Sequence, residues 1–535
     1  MTITLHHPSA RMSTGTGRGL ALFALCGVLF LTFLDTTIAS VALKDIQDEL
    51  HAGVVQLQWV VNGYSLVFAT LMLMAGAIAD RIGRHGVLFM GVVIFCAGSV
   101  MAATATTVGM LIAGRAVMGV GAAASEPGTL AIIRQIYRDP KERARAIGIW
   151  VATAGTALAL GPVIGGVLIE IADWRAIFWF NLVLGLILLG ITERYVPRDQ
   201  GAYEKTRLDY GGFVFGAAFL ACGSFAVIHG ETAGYSAGSV IALFVLSGLG
   251  LLAFIGVERI VKAPMIARSY LNRVVNSSLL VSFAMFFGIF SIFFFTALYL
   301  QEVLEYSGGK IAAAFAPMAV TLIGSSLFSG RWVSRVGTRT PMVTGCLLAA
   351  IGIATTEYVI THGADPLEIA VTLGIAGLGF GLGIVPATSA VLSEVPSQNA
   401  GVAASMVNTS RQIGAVIGVA VLGSLVNSNL TTGLGEKLDR LGVGDYKDIV
   451  INAIESGQVP QGSSGTAADY QDTYGDLVPK VIDAAFGAFR TGLEISLTVA
   501  ALTITVAAGI ALFAQSTEPL EADSELPADT SLEGR

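Results

Sequence analysis

Gly76-Ala77-Ile78-Ala79-Asp80-Arg81-Ile82-Gly83-Arg84-His85 is a short charged knot between two apolar runs, Gln56 to Ala79 and Val87 to Ala105. Each run is long enough to cross a bilayer, which takes about 20 residues, so the knot reads as a tight loop at one membrane face. A turn this short makes the two helices antiparallel neighbours, and Gly76 and Gly83 remove side chains that would hold the backbones apart. Asp80 stands at the C-terminal end of its helix, where the dipole disfavours an anion. It therefore needs Arg81, Arg84 or the N-terminus of another helix as partner, and a charge set against its dipole forms a latch.

The chain around the knot is apolar throughout. Of 535 residues, 54% are hydrophobic and 13% charged, with a mean hydropathy of +0.72. A soluble domain carries about 25% charged residues, so the apolar surplus must face lipid. Candidate spans lie at 18–43, 56–79, 87–107, 109–133, 145–170, 176–195, 210–230, 237–257, 275–301, 309–333, 340–361, 367–392, 400–427 and 486–514. These are about fourteen helices of spanning length, an all-α polytopic membrane protein with both termini on one side. Loops on that side hold Arg81 and Arg84; Arg134, Arg138, Lys141, Arg143 and Arg145; Arg194, Arg198, Lys205 and Arg207; Arg259, Lys262, Arg268 and Arg273; and Arg331, Arg335 and Arg339. The short loops opposite hold only Lys44, Arg175 and Lys310. The positive-inside rule then puts both termini and the knot in the cytoplasm.

Cys26, Cys96, Cys222 and Cys346 each fall in an apolar run, with no disulfide or metal-site spacing. The first apolar run is longer than the core of a signal peptide and reads as the first span. The net charge of −7 comes mostly from residues 436–483 and the acidic end of the chain, and reads as solvation.

Gly330-Arg331-Trp332-Val333-Ser334-Arg335-Val336-Gly337-Thr338-Arg339 repeats the knot, with Gly330 against Gly76, Arg335 against Arg81 and Gly337 against Gly83. Two halves are implied. Ser334 replaces Asp80 in the second copy, so the latch argument applies to the first alone. The expected organisation is a cytoplasmic tail at 1–17, a six-helix bundle at 18–200, two inserted spans at 201–262 and a second six-helix bundle at 263–514. That second bundle carries an extracytoplasmic loop at 428–485, and a disordered acidic tail follows at 515–535.

G-x-x-x-D-R-x-G-R between two spanning helices resembles the loop motif of the major facilitator superfamily. Twelve spans plus two resembles its fourteen-span drug:proton antiporters, the EmrB/QacA type. The resemblance runs over nearly the whole chain. Leu34-Asp35-Thr36-Thr37-Ile38-Ala39-Ser40-Val41-Ala42-Leu43 is similar to the first-span motif, with Ser40 and Lys44 departing from it, and Gln58-Trp59-Val60-Val61-Asn62-Gly63-Tyr64 to the opening of the second. The stretch from Leu111 to Gly121 resembles the fourth-span arginine motif. Gly161-Pro162-Val163-Ile164-Gly165-Gly166 resembles the fifth-span motif that marks exporters. Asp173 to Asn181, then Glu258-Arg259 with Pro264, and Asn408-Thr409-Ser410-Arg411-Gln412-Ile413-Gly414 match the sixth, eighth and thirteenth spans in order. The resemblance implies the major facilitator fold, two six-helix bundles plus two extra central helices. It also implies proton-coupled export of lipophilic, cationic toxic compounds by alternating access across the cytoplasmic membrane. In the fifth span, Pro162 deletes a helix hydrogen bond and kinks the helix, while Gly161, Gly165 and Gly166 permit close contact.

The chemistry rests on ionisable residues at membrane depth, where a charge is costly and is paired, neutralised or turned to a water-filled cavity. Asp35, Arg115, Glu126 and Arg411 stand out. Arg115 and Glu126 are three turns apart, about 16 Å, on one face of the fourth span. Asp35 and Arg115 both fall in the outer half of their spans, within reach of each other. A permanent pair keeps Asp35 ionised and makes it a poor proton carrier, so its expected part in proton coupling is as the organising anion or a contact for a cationic substrate, exchanging Arg115 between states, whereas Glu126, in apolar surroundings with no evident cation beside it, is the expected proton site. Two plainer readings stand beside these, a static Asp35–Arg115 ion pair and a hydrogen-bonded Glu126 at a kink made by Pro127. Trp59, Asn62, Tyr64, Asn408 and Arg411 are the further candidates for substrate contact and coupling. Glu302, Glu305, Glu357, Glu394 and Glu494 fall near span ends and read as interfacial charges.

The sequence has no G-x-x-x-x-G-K-[ST] loop and no soluble domain large enough to hold a nucleotide, so the expected energy source is a proton gradient, with no cofactor, metal or nucleic acid. One proton moving down about 150 mV supplies roughly 3.5 kcal/mol, enough for a few-hundredfold accumulation. The expected partners are protons, a small lipophilic substrate and the bilayer around a monomer. A dedicated exporter of one natural product, peptide or lipid fits the same scaffold. A membrane enzyme or receptor fits poorly, since His51, His85, His229 and His362 lie in loops or at span ends, with no catalytic constellation.

Overall fold

Lipid offers the backbone no hydrogen-bond partner, so apolar runs of this length fold as helices that satisfy their own amides. A computed structural model describes residues 15–52, 54–198, 209–261, 264, 266–304, 306, 308–363, 365–440 and 477–515. The helices are α1 (Gly15–Val41), α2 (Leu43–Leu50), α3 (Val54–Ile82), α4 (Arg84–Ala103), α5 (Val108–Ile136), α6 (Pro140–Ile171), α7 (Arg175–Tyr195), α8 (Tyr210–Ala233) and α9 (Gly238–Ile260). They continue with α10 (Arg273–Glu302), α11 (Gly308–Val336), α12 (Arg339–His362), α13 (Pro366–Glu394), α14 (Ala400–Arg440) and α15 (Leu477–Ala514). All but α2 are of spanning length. Among the described residues, eleven pass as apolar spans outright, and thirteen do when the bent helices α3 and α6 each count as one. The helix left over is α14, which carries Asn408 to Gln412 in mid-span.

The first half packs α1 and α3–α7 together, and the second packs α10–α15. The halves meet where α6 lies on α11 and where α14 lies on α3 and α5. Between them in sequence, α8 and α9 form a hairpin. α8 packs on α3 and α14, one helix from each half, and α9 packs on α8. The outer surface of α9, with Ile241, Val245, Leu249 and Leu252 exposed, suits lipid.

Three expectations need correcting. The knot is not a loop: α3 runs through Asp80 to Ile82, α4 starts at Arg84, and Gly83 alone separates them at φ 119°, a conformation that costs glycine nothing. Gly337, at φ 80°, makes the same break in the second knot. The stretch expected as loop 428–485 is helical at both ends, because α14 continues to Arg440 and α15 begins at Leu477. Helix formation outlasts the apolar run there, since no proline falls between Ala400 and Arg440. The middle of that stretch and most of both expected tails lie outside the described residues. The third correction is α2, an amphipathic turn after the first span whose Ile46 is buried beneath charged neighbours.

Proline shapes both halves in the same way. Pro162 has no N–H to give to the carbonyl of Leu158, and α6 bends by 46° across 159–162. The freed Leu158 carbonyl accepts instead from the Thr37 hydroxyl of α1, at 3.3 Å. In α13, Pro386 frees the carbonyl of Leu382, which accepts from Ser329 of α11 at 3.0 Å. Side chains of neighbouring helices thus satisfy carbonyls that lipid would leave bare.

Candidate functional site

Asp35 and Arg115 meet as a direct ion pair between α1 and α5, and both side chains are wholly buried. The second Asp35 oxygen accepts from Asn181 Nδ2 of α7 at 2.8 Å. Arg115 Nε donates to the Val60 carbonyl of α3 at 2.8 Å, and its guanidinium lies 4.7 Å from the centre of the Tyr64 ring. Tyr64 in turn donates to the Thr32 carbonyl of α1 at 2.9 Å. The cluster ties α1, α3, α5 and α7 together, all of them helices of the first half. Both oxygens of the carboxylate are occupied. Asn181, from the stretch that opens α7, is its third member.

Glu126 lies about three turns further along α5, 1% exposed, at the seam between the halves. Its Oε2 has no hydrogen-bond partner among the described residues. The nearby Thr129 hydroxyl donates to Glu126's own backbone carbonyl at 2.6 Å and accepts from the Trp150 indole of α6 at 2.9 Å. The expectation that no cation stands near Glu126 is wrong. Arg411 of α14, 3% exposed, packs on the Trp150 ring whose indole reaches Thr129, one turn along α5 from Glu126. Sequence spacing does not reveal this proximity, because the two residues come from different halves. Arg411 is held by Thr388 Oγ1 of α13 and by Asn408 Oδ1 at 3.1 Å, between the Phe286 ring at 5.2 Å and the Trp150 ring at 5.4 Å. Its Nε, and Nδ2 of Asn408, have no partner among the described residues. The seam therefore holds an acid, a guanidinium, an amide and two aromatic faces, contributed by both halves.

The knot has the partners its position demands. Asp80 accepts from Arg84 Nε at 2.8 Å and from the backbone N–H groups of Gly401 and Val402, at 2.9 and 2.8 Å. The acid at the end of α3 thus caps the N-terminus of α14 in the other half, where the dipole favours an anion. The approach needs glycine on both sides. A Cβ on Gly76 would stand 2.3 Å from the Gly401 carbonyl oxygen, and one on Gly401 would stand 2.6 Å from that of Gly76. Arg84 Nη2 donates to the carbonyls of Ser397 and Gln398, both at 2.8 Å. Arg134 reaches the Val395 carbonyl, and Arg143 Nη2 reaches Ser393 Oγ at 3.2 Å. Together these groups close the knot end of the seam. Arg81, half-buried, turns to a crevice beside Asp209 and Tyr210 at the start of α8. In the second knot, Ser334 donates to the Arg331 carbonyl of its own helix, and α6 is capped by its own Asp139. The latch is single.

At the far end, Glu49 of α2 accepts from Trp174 Nε1 at 2.7 Å and from Arg175 at 2.7 and 2.8 Å. These bonds hold the Glu49 carboxyl below the usual carboxylate range, the Trp174 bond contributing most.

The fifth-span glycines divide. A Cβ on Gly161 would stand 1.9 Å from Thr37 Oγ1 and one on Gly165 3.0 Å from Ile38, whereas Gly166 has open space beside it. Gly166 is thus not needed for close packing, a correction to its place in the motif. Gly161→Leu is expected to abolish transport by wedging α6 from α1, while Gly166→Ala leaves it within about twofold of the parent. Dye efflux from cells at matched expression checks both. Trp59 packs at 5.3 Å on Phe225 of α8, so its ring faces the inserted hairpin, and Asn62 is half-buried on the same helix.

The model of the Major Facilitator Superfamily matches residues 25–419. The chain belongs to the Major Facilitator Superfamily. Among members of that superfamily, it is 34% identical to the puromycin resistance protein pur8 of Streptomyces alboniger over 76% of this chain and 82% of that one. It is 32% identical to the multidrug resistance protein Stp of Mycobacterium tuberculosis over 79% and 78% of the two chains. It is 28% identical to the tetracenomycin C resistance and export protein of Streptomyces glaucescens, over 96% and 95%. The fold matches the proton:xylose symporter XylE with a TM-score of 0.60 at 12% identity, over 95% of this chain and 98% of that one. It also matches the human organic anion transporter MFSD10, with a TM-score of 0.56 at 14% identity, over 95% and 100%. This is a polytopic membrane transporter of the superfamily.

Proposed function

We propose that the protein exports lipophilic, cationic toxic compounds across the cytoplasmic membrane in exchange for protons, by alternating access. The observation that carries the coupling is Glu126, a buried carboxylate at the seam between the moving halves with one oxygen unpaired. A carboxylate there binds a proton or a cationic substrate in competition, and that competition is what antiport requires. Asp35, satisfied on both oxygens within one half, acts as the organising anion. Resistance relatives support the export direction, and the basic residues gathered at the knot end support a cytoplasmic knot with both termini inside. In that orientation the conformation is closed to the cytoplasm.

The test is dye transport by the chain in inverted vesicles. An imposed proton gradient, acid inside, is expected to drive dye inward, and a protonophore is expected to stop it. Dye movement indifferent to the gradient refutes proton coupling. Names of relatives tied to single compounds, puromycin and tetracenomycin C, favour a second reading as a dedicated exporter. A panel of unrelated dyes separates the two.

A further inference from the structure

We propose that the second half supplies a subsite for an acceptor oxygen, formed by Nδ2 of Asn408 and Nε of Arg411, so that the exported compounds carry a carbonyl oxygen as well as a cationic group. The proposal rests on the cationic-substrate reading above and adds a second point of recognition to it. Asn408 and Arg411 stand one turn apart on α14, 1% and 3% exposed. Arg411 Nη1 donates to Asn408 Oδ1 at 3.1 Å, and this bond orients the amide: its oxygen faces the guanidinium, so its NH2 group is turned away from it. Arg411 Nη2 donates to Thr388 Oγ1, and the Phe286 and Trp150 rings lie against the guanidinium at 5.2 and 5.4 Å.

Every group that holds Arg411 is therefore neutral, and two donors are left over. Neither Nδ2 of Asn408 nor Nε of Arg411 has a hydrogen-bond partner among the described residues. A buried donor without an acceptor is costly, and a polar network kept only for packing gains by being satisfied throughout. These two lie beside Trp150 of the first half, at the surface where the halves meet. The first half offers the opposite need, since Oε2 of Glu126 has no partner either. A ligand with a cationic nitrogen at one end and a carbonyl oxygen at the other answers both, and an aromatic body between them suits the two rings. A compound without the oxygen leaves the donors stranded, and a site of this kind discriminates against it.

The experiment measures equilibrium binding to the detergent-solubilised full chain by fluorescence anisotropy, without any gradient, for two dyes built on the same xanthylium cation. Tetramethylrhodamine methyl ester has an ester carbonyl that tetramethylrosamine lacks. The ester is expected to bind the parent about tenfold more tightly. Asn408→Asp keeps an oxygen for Arg411 and loses the amide donor, and it is expected to bring the two dyes within about twofold of each other. Asn408→Leu is expected to do the same, and serves should the aspartate variant not fold. Equal affinities in the parent overturn the subsite. A preference that survives both variants also overturns it, even where both dyes bind more weakly, because Asn408 is then a structural group. Binding of neither dye to the parent overturns the cationic-substrate reading and the subsite with it, whereas a failure of proton coupling alone is seen only in the vesicles.

Discussion

Arg115→Met is expected to remove most of the folded transporter from the membrane. The guanidinium and the Asp35 carboxylate are both wholly buried, and Arg115 also donates to the Val60 carbonyl at 2.8 Å. Deleting it leaves Asp35 ionised in a dry site with the Asn181 amide as its remaining partner, at 2.8 Å. Breaking a buried pair by removing one member costs about 3–5 kcal/mol, a large share of the roughly 5–15 kcal/mol that holds a typical domain folded. Detergent-solubilised yield and thermal stability read the loss. Removing both charges together, Asp35→Asn with Arg115→Met, is expected to recover much of it, because an uncharged replacement strands nothing. If the double variant also regains proton-coupled dye transport, the cluster organises the first half without carrying protons. A double variant no more stable than Arg115→Met contradicts the closed pair.

Asp80→Asn is expected to open the knot end. The carboxylate binds Arg84 and two backbone N–H groups at the start of α14, all at 2.8–2.9 Å. Hydrogen bonds to a charged group contribute about 1.5–3 kcal/mol each, so losing the charge shifts a balanced open–closed equilibrium at least about tenfold. Ser405, fully buried where α14 crosses Gly76, reports the change. In a chain without its four native cysteines, the thiol introduced by Ser405→Cys is expected to resist aqueous maleimide while Asp80 is intact. Adding Asp80→Asn is expected to make it react about tenfold faster. Equal rates in the two backgrounds contradict the latch.

Much of this arrangement is visible in the sequence, for physical reasons. Lipid demands long apolar helices, so length and apolar pattern locate fourteen candidate spans, the more polar one at 400–427 included. Asp80 betrays its latch because an anion at a helix C-terminus has to find a partner, and the search for one leads to Arg84 and to a helix N-terminus. The reach of Asp35 to Arg115 follows from depth, since both lie in the half of their helices away from the knot. What lies hidden depends on packing between distant segments. Arg411 on the Trp150 ring that reaches Thr129, Trp59 against Phe225 of the inserted hairpin, and Asn181 as third member of the buried cluster all join residues whose spacing in sequence carries no signal. Gly166 misleads for a related reason: it shares a motif with Gly161 and Gly165, but the helix turns it away from α1.

The most direct test of the account is dye uptake into inverted vesicles with lumenal pH recorded at the same time, for the parent chain and for Glu126→Gln. The account predicts that dye entry discharges the acid lumen of parent vesicles and that the glutamine variant, unable to take up or release a proton at the seam, shows no dye-dependent pH change. A variant that still exchanges dye for protons at the parent rate contradicts it, and places the coupling site elsewhere in the chain.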